Sequence, residues 1–430
     1  MRVRLETLGC RLNEAELETW AHQFRQRGCQ IAGDADTADL VVINTCAVTG
    51  EAVRKSRKLL RKVQRDNPRA RLVVSGCAAS LDGEDLGDAG IDLLVANRDK
   101  DRLVEIATHE LSLPLMPATA TEPAADALFT RGRQRAFIKI QDGCRYQCSF
   151  CITTRARGEE HSRTASEICE EINALSAGGI REVVLAGVHA GGYGSDLGDS
   201  LTGLLAAVLR ETDVPRIRIG SLEPWDLPDA FWQLFDNPRL MPHLHLPLQS
   251  GADSVLRRMA RRCRRNDFVR LIDRASTALT DFNVTTDIIV GFPGETDDEW
   301  RQTLELVERV GFGHLHIFAY SPRTGTRAAT MPDQVPNAVK RERARELQAL
   351  GKVLKRDRLQ RAVGRTHSVL VEGIRSDETG SFHAGYTPNY LPVRLRDGEP
   401  TQVNHILPVR LGAITADGDG LNARLDQAAG

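Results

Sequence analysis

QDGCRYQCSFCITTRARG, residues 141–158, holds three cysteines, Cys144, Cys148 and Cys151, spaced four and then three residues apart. Three thiolates in so short a loop match one face of a four-iron cluster. A cluster that only carries electrons is normally held by four cysteines. A three-cysteine loop leaves one iron open to a substrate or cofactor and so points to catalysis. A zinc knuckle is the alternative. Structural zinc sites pair cysteines as C-x2-C with a second such pair or with histidines, and the chain has no second CxxC.

The loop follows an apolar strand pattern, RAFIKI, and five more such patterns come after it: EVVLAG, RIRIGS, HLHLPL, TTDIIVG and HLHIFAY. Separated by helix-like segments, they predict six βα units, an open and partial version of a (β/α)8 barrel. Ligand contacts in such a barrel gather at the carboxyl ends of the strands. That edge nominates Gly187 and His189, then Glu223, Gln249, and Gly291 with Pro293. Glycine lets backbone approach a ligand closely, although a glycine ending a strand is equally well read as a turn. Glu223 and Gln249 offer hydrogen-bond acceptors. His243 and His245 alternate within one strand and are expected to face one side, as packing or pocket lining rather than as metal ligands.

Upstream, VRLETL, LVVIN, LVVSG and DLLVA alternate with helical patterns, one of them running from about Glu14 to Arg27 and stopped by Gly28. A βα repeat of this kind predicts a parallel sheet. Cys10 (TLGC), Cys46 (INTC) and Cys77 (VSGC) each close a strand pattern, at the sheet edge where ligands bind in open α/β folds. Their separations of 36 and 31 residues are each about one βαβ unit. Buried thiols are one reading, since free cysteine is among the most buried residue types; a second three-cysteine cluster is the other, favoured by the threefold repetition at one edge. Cys29, Cys169 and Cys263 lie in or beside helical patterns and take no ligand role.

The Cys144–Cys151 spacing resembles that of the radical S-adenosylmethionine (SAM) superfamily. TLGCRLNEAE, INTCAVTGEAVRKSRK and VSGCAAS resemble the amino-terminal domain of the methylthiotransferases, a radical SAM family with two clusters, and the resemblance spans nearly the whole chain. TLGCRLN, NTCAVTGEAxxKSR and SPRTGTRAATMPDQV (321–335) are similar to the branch acting on threonylcarbamoyladenosine in tRNA. The isopentenyladenosine branch tends to read YGCQMN and NTCxVRE, and the branch acting on a ribosomal protein reads LGCPKN and NTCGFI. Two stretches depart from the pattern: CITTRARG stands for the commoner CIIPYARG, and LAGVHAGGYG for LTGVHLGSYG. The resemblance implies two 4Fe-4S clusters, the radical-generating one on Cys144, Cys148 and Cys151 and the other on Cys10, Cys46 and Cys77. It also implies SAM held near Gly187, His189, Glu223, Gln249 and Gly291. The implied partners are tRNA, at adenosine 37 of the anticodon loop, and a reductant such as flavodoxin or ferredoxin, with neither DNA nor membrane.

The class expected overall is α/β. A parallel-sheet domain takes residues 1–112, a linker 113–132, a partial (β/α)6 radical SAM barrel 133–363, and a small all-β barrel 364–430. The linker reading rests on LSLPLMPATATEPAADALFTRG (111–132), which loses periodicity and is rich in Ala, Thr and Pro. A charged helix over about Asn337–Val363 precedes the tail, whose short strands between turns suggest a barrel resembling the TRAM RNA-binding module. Arg394, Arg396 and Arg410, with Tyr386 and Tyr390, are candidates there for phosphate contacts and base stacking.

Net charge is −1 over 430 residues, with 41% hydrophobic content, so RNA binding is not advertised globally. Two local basic runs, 54–71 and 257–265, fit phosphate neutralisation or plain solvated helix faces. The longest apolar runs are strand-sized, and no apolar leader opens the chain, which suggests a cytoplasmic enzyme. Nine cysteines then read as ligands and buried thiols rather than as disulfides.

Overall fold

The computed structural model describes residues 1–33, 38–81, 86, 90–113, 134–225, 227–396 and 402–426. The amino-terminal strands are β1 (Arg2–Thr7), β2 (Gln30–Ile31), β3 (Leu40–Thr45), β4 (Arg71–Gly76) and β5 (Leu93–Val95). They form one parallel sheet in the order β2-β1-β3-β4-β5. Helices α1 (Arg11–Gln26), α2 (Gly50–Asp66), α3 (Cys77–Leu81) and α4 (Leu103–Glu110) connect and cover them. A parallel strand covered on both faces reads as a near-continuous apolar run, and β3, buried at every position, is apolar from Leu40 to Ile43. Leu40 and Val42 pack with Trp20 and Phe24 of α1, while Val41 and Ile43 pack with Val53 and Leu60 of α2. Helix α1 begins at Arg11, ahead of the expected Glu14, because Cys10 takes the N-cap position in extended backbone.

The central part opens with β6 (Arg135–Lys139) and a short antiparallel pair, β7 (Gln141–Asp142) and β8 (His161–Ser162). Strands β9 (Glu182–Ala186), β10 (Arg216–Ile219), β11 (His243–His245), β12 (Asn283–Val290) and β13 (His314–Ala319) follow. The helices are α5 (Thr153–Arg157), α6 (Ala165–Ala177), α7 (Leu201–Glu211), α8 (Asp229–Gln233), α9 (Asp253–Arg258), α10 (Arg265–Ala278), α11 (Asp297–Val310) and α12 (Asn337–Ala362). Two parallel three-stranded sheets, β10-β9-β6 and β11-β12-β13, are joined by parallel bridges between Ile217 and Leu240 and between Ser221 and His245. The result is an open six-stranded wall in sequence order, a partial barrel. Alternation along its strands sends Ile138, Leu185, Ile217, Leu244, Ile288 and Leu315 outward into the helix-packed core. The intervening residues, including Arg135, Glu182, Arg218, His243, His245, Thr285, Asp287 and His316, therefore line the lumen. Helix α1 packs along β6 at the open side, where Glu18 accepts a hydrogen bond from the Phe137 amide at 3.1 Å.

The tail closes a five-stranded barrel, β14 (Thr366–Asp377), β15 (Gly380–Tyr386), β16 (Pro392–Leu395), β17 (Ile406–Ile414) and β18 (Leu421–Leu425), in the order β14-β15-β16-β18-β17. Leu359 and Ala362 of α12 join its core. The turn after β15 reaches the base of the lumen: Arg218 donates to the Pro388 carbonyl at 2.7 Å and Asn283 to that of Asn389 at 2.8 Å. This seam overturns one expectation. Tyr390 stacks on His243 at 4.8 Å and on Tyr386 at 4.7 Å, with Arg135 over both rings. The two tyrosines thus fasten the tail to the partial barrel and are not free to stack on bases. Arg394 and Arg396 are likewise taken up by Asp377, and Arg394 also by Asp417; Arg410 remains exposed. The expected linker lies, apart from its first residue, outside the described residues. No helix among the described residues is long and apolar enough to cross a membrane.

Candidate active site

The six cysteines singled out by spacing fall into two groups, each set by backbone that only a particular residue allows. Gly143, just before Cys144, has φ +72°, and a Cβ there would stand 1.8 Å from the Glu159 carbonyl oxygen. The chain therefore turns tightly between β7 and β8 and brings Cys144, Cys148 and Cys151 to one point, with the Cys151 amide donating to the Cys148 carbonyl at 3.0 Å. Burial pushes the Cys144 thiol up to about 12, and the neighbouring Glu223, Cys151 and Cys148 add to the shift. Arg261 lies 3.9 Å from the Cys148 sulfur, a positive charge where anionic thiolates would gather.

The second group sits at the carboxyl edge of β1, β3 and β4, which are adjacent in the sheet. Gly76, before Cys77, has φ +98°, and a Cβ would fall 2.3 Å from the Thr45 carbonyl oxygen. Burial pushes Cys46 up to about 11, with Cys10 and Cys77 both close enough to contribute. Asn97 approaches the Cys77 sulfur at 3.7 Å and the Cys10 thiol faces Asn13 Oδ1 at 3.6 Å. Cys29, Cys169 and Cys263 are buried in apolar cores elsewhere.

One buried guanidinium ties the two groups together. Arg157, at the end of α5, donates to Glu16 at 2.9 Å, to both oxygens of Asp142 at 2.8 and 3.0 Å, and to Asn13 Oδ1 at 2.8 Å. Lys100 completes the network at 2.6 Å from Glu16. Burial alone would hold Glu16 and Asp142 protonated; Arg157 and the lysines override it and pull both carboxyls below their usual range. The network spans the sheet domain and the Cys144 loop, so each cysteine group is positioned relative to the other.

Around the Cys144 loop, His189 is buried between two carboxylates, 2.5 Å from Glu160 through Nδ1 and 3.8 Å from Glu223 through Nε2. Burial pushes the Glu223 carboxyl up, and its Oε2 is buried without a hydrogen-bond partner. Gln249 adopts φ +71° as the chain leaves the fourth barrel strand. Gly187 ends β9 in a tight turn, where a Cβ would meet Gln141 at 3.0 Å. Gly291 has a packing reason of its own: a Cβ would fall 2.4 Å from the Lys340 side chain of α12. His189 and Glu223 thus sit together with the cysteine loop, whereas Gly291 faces α12.

Sequence reasoning missed Arg157, Glu160 and Arg261, together with Tyr146, which packs edge-on against His189 at 4.7 Å and Trp225 at 5.6 Å. The basic run 257–265 is neither a set of free phosphate contacts nor a plain solvated face. It is mostly structural instead: Arg258 pairs with Glu299 at 2.7 Å and Arg261 donates to the Pro247 carbonyl at 2.7 Å. The other run behaves differently. Helix α2 buries Val53, Ser56, Leu60 and Val63, and its outer side carries a groove of about 520 Å³ lined by Arg54, Arg57, Lys58, Arg61, Lys62 and Arg65.

In the lumen, His243 and His245 share a face and both reach Thr285 Oγ1, at 3.1 and 2.8 Å. His245, Asp287 and His316 bring one ligand-type atom each within 4.8 Å of one another. A second groove, of about 570 Å³, opens beside Cys10 where the sheet domain, β6 and β14 meet.

Comparison with known proteins agrees with this geometry. Residues 2–96 match Uncharacterized protein family UPF0004, and residues 138–307 match the Radical SAM superfamily. Threonylcarbamoyladenosine tRNA methylthiotransferase MtaB from Thermotoga maritima is 36% identical over 378 residues, covering 86% of each chain. The Bacillus subtilis protein of that name is 35% identical over 422 residues, covering 95% of this chain and 93% of its own. A tRNA-2-methylthio-N(6)-dimethylallyladenosine synthase from Novosphingobium aromaticivorans is 37% identical over 386 residues, covering 86% of each. Among solved structures, the radical SAM methyltransferase TsrM from Kitasatospora setae, with cobalamin and a [4Fe-4S] cluster bound, shares the fold at TM-score 0.56. It is 16% identical and covers 76% of this chain and 77% of its own.

Proposed function

The chain belongs to the radical SAM methylthiotransferase family, and from that premise we propose that it adds a methylthio group to C2 of N6-threonylcarbamoyladenosine at position 37 of tRNA. The reaction uses two SAM molecules and two 4Fe-4S clusters. The observation that carries this reading is the pair of three-cysteine groups held in one rigid arrangement by Arg157. Each group offers three sulfurs and no fourth cysteine, which suits a cluster with one open iron better than a closed zinc site.

The residues fit both groups. Cys144, Cys148 and Cys151 hold the radical-generating cluster, with Arg261 offsetting its negative charge; Cys10, Cys46 and Cys77 hold the cluster that presents sulfur. When bound, the first supplies the electron that cleaves SAM into methionine and a 5'-deoxyadenosyl radical able to take hydrogen from the substrate. The orphaned Glu223 oxygen supports a role in accepting a hydrogen bond from SAM's amine or ribose. His189, clamped by Glu160, fixes the pocket wall beside it. Tyr146, edge-on against both His189 and Trp225, packs these side chains together beside the loop. The exposed cationic face of α2 serves the tRNA backbone, where phosphate contacts dominate affinity. Electrons come from a small reductant such as flavodoxin or ferredoxin.

A sister reading, action on isopentenyladenosine, is favoured by the 37% identity to the dimethylallyladenosine synthase. The test of the proposal separates the two cysteine groups. Cys148→Ala is expected to abolish SAM cleavage, whereas Cys46→Ala keeps cleavage and stops methylthiolation. Full product formation by Cys46→Ala would remove the sulfur-presenting role from the sheet domain.

A further inference from the structure

The groove beside Cys10 holds a guanidinium, that of Arg11, with no hydrogen-bond or ion-pair partner among the described residues. Arg11 follows Cys10 directly, is half-buried, and lines the groove with Glu14, Arg135, Glu372 and Tyr390. Its neighbour Arg135 is spoken for, hydrogen-bonded to Glu372 and 3.6 Å from Glu182. Arg11 forms no hydrogen bond or ion pair among the described residues; its guanidinium only overlies the Tyr390 ring, 5.9 Å from the centroid. It also faces the lumen, near enough to His243 and His316 to disfavour their protonation. A half-buried guanidinium held against an aromatic face, with its donors unused, is built to take a planar anion. Arginine's fork pairs bidentately with a carboxylate.

Substrate geometry indicates which anion. C2 and N6 of adenine flank N1 on the same edge, so a base that presents C2 to sulfur at Cys10 turns its N6 substituent into the same groove. The threonylcarbamoyl substituent ends in a carboxylate, ionised at neutral pH, and an isopentenyl substituent has no charge. We infer that Arg11 is the specificity-determining residue of this enzyme, pairing with the carboxylate of the N6 substituent as the adenine enters beside Cys10. The inference rests on the methylthiotransferase reading and deepens it.

The test compares two anticodon stem-loop RNAs, one bearing N6-threonylcarbamoyladenosine and one in which that carboxylate is a carboxamide. Binding to the full chain is followed by fluorescence anisotropy, and the ratio of the two dissociation constants is recorded. Because one protein preparation meets both RNAs, the cluster content and folded fraction of a variant cancel. The wild type is expected to favour the carboxylate by roughly tenfold to a hundredfold, the size of a charge-assisted pair. In Arg11→Gln the preference falls to about twofold or less, and in Arg11→Lys, which keeps the charge without the fork, it lies between. Absence of a preference in the wild type, or its full retention in Arg11→Gln, overturns the inference. Turnover is read separately: a wild type that prefers the carboxylate RNA yet yields no 2-methylthio product leaves the recognition standing and removes the proposed activity.

Discussion

Replacing Arg157 with Met tests whether one buried guanidinium holds the two cysteine groups in place. The side chain is 2% exposed and its partners Glu16 and Asp142 are 1% and 5% exposed. Once it is gone, Glu16 keeps Lys100 at 2.6 Å and Asn44 at 2.8 Å. Among the described residues Asp142 keeps the Gly143 amide at 2.8 Å, Lys139 at 3.8 Å and the charge of Lys100 without a hydrogen bond to it, so it carries most of the penalty. Breaking a buried ion pair from one side costs about 3–5 kcal/mol. With Glu16 compensated, the lower figure, about 3 kcal/mol, is expected. For a cooperative unit of 150–250 residues, at about 2–4 °C per kcal/mol, the apo-protein Tm falls by roughly 6–12 °C. Anaerobic scanning calorimetry reads this directly. Asp142→Asn removes the uncompensated charge, so the double variant should be more stable than the sum of the two single effects by about 1 kcal/mol or more. A melting curve for Arg157→Met within about 1 °C of wild type, or strict additivity with Asp142→Asn, would mean that the buried guanidinium does not hold the two groups.

Gly76→Ala places a Cβ 2.3 Å from the Thr45 carbonyl oxygen and so displaces Cys77; iron per chain after reconstitution should fall by half while SAM cleavage persists, and undiminished iron would contradict this. Burial holds the His243 imidazole well below its usual pKa, with Arg218 and Arg11 adding to the effect. The folded protein therefore resists a proton that the unfolded chain accepts, and stability falls as pH drops below about 6.5. His243→Gln should flatten the dependence of Tm on pH between 7 and 5, and a slope equal to that of wild type would count against the buried neutral imidazole. Replacing Arg61 and Lys62 with Gln removes two cations from the α2 groove. If both contact phosphates, the slope of log affinity against log salt for tRNA shrinks by about 1.4–1.8; an unchanged slope places the RNA elsewhere.

Where the signal was local, it was legible in the sequence. The Cys144 loop is contiguous, and Cys10, Cys46 and Cys77 each follow an apolar strand whose parallel neighbours are one βαβ unit away, so the period of the chain brings them to one sheet edge. The alternation in HLHL likewise carries into the structure, with the leucines outward and the histidines in the lumen. Contacts across long separations were not legible. Arg157 and Glu16 are 141 positions apart, and nothing in CITTRARG distinguishes a buried arginine from a solvated one. Tyr386 and Tyr390 are hidden from sequence reading for a related reason: neither the alternation of β15, which ends at Tyr386, nor the turn that carries Tyr390 shows whether a face meets RNA or another domain. The start of α1 was displaced because a cysteine, a residue outside the usual N-cap set, takes the cap there.

Everything proposed for the two cysteine groups converges on one product. The direct measurement is mass spectrometry of nucleosides from tRNA of a strain lacking this gene, complemented with the wild-type chain or with Cys46→Ala. Complementation with the wild type is expected to restore 2-methylthio-N6-threonylcarbamoyladenosine, and with the variant to leave only its unthiolated precursor. Methylthiolation of isopentenyladenosine instead, or no methylthio nucleoside with the wild type, would contradict it.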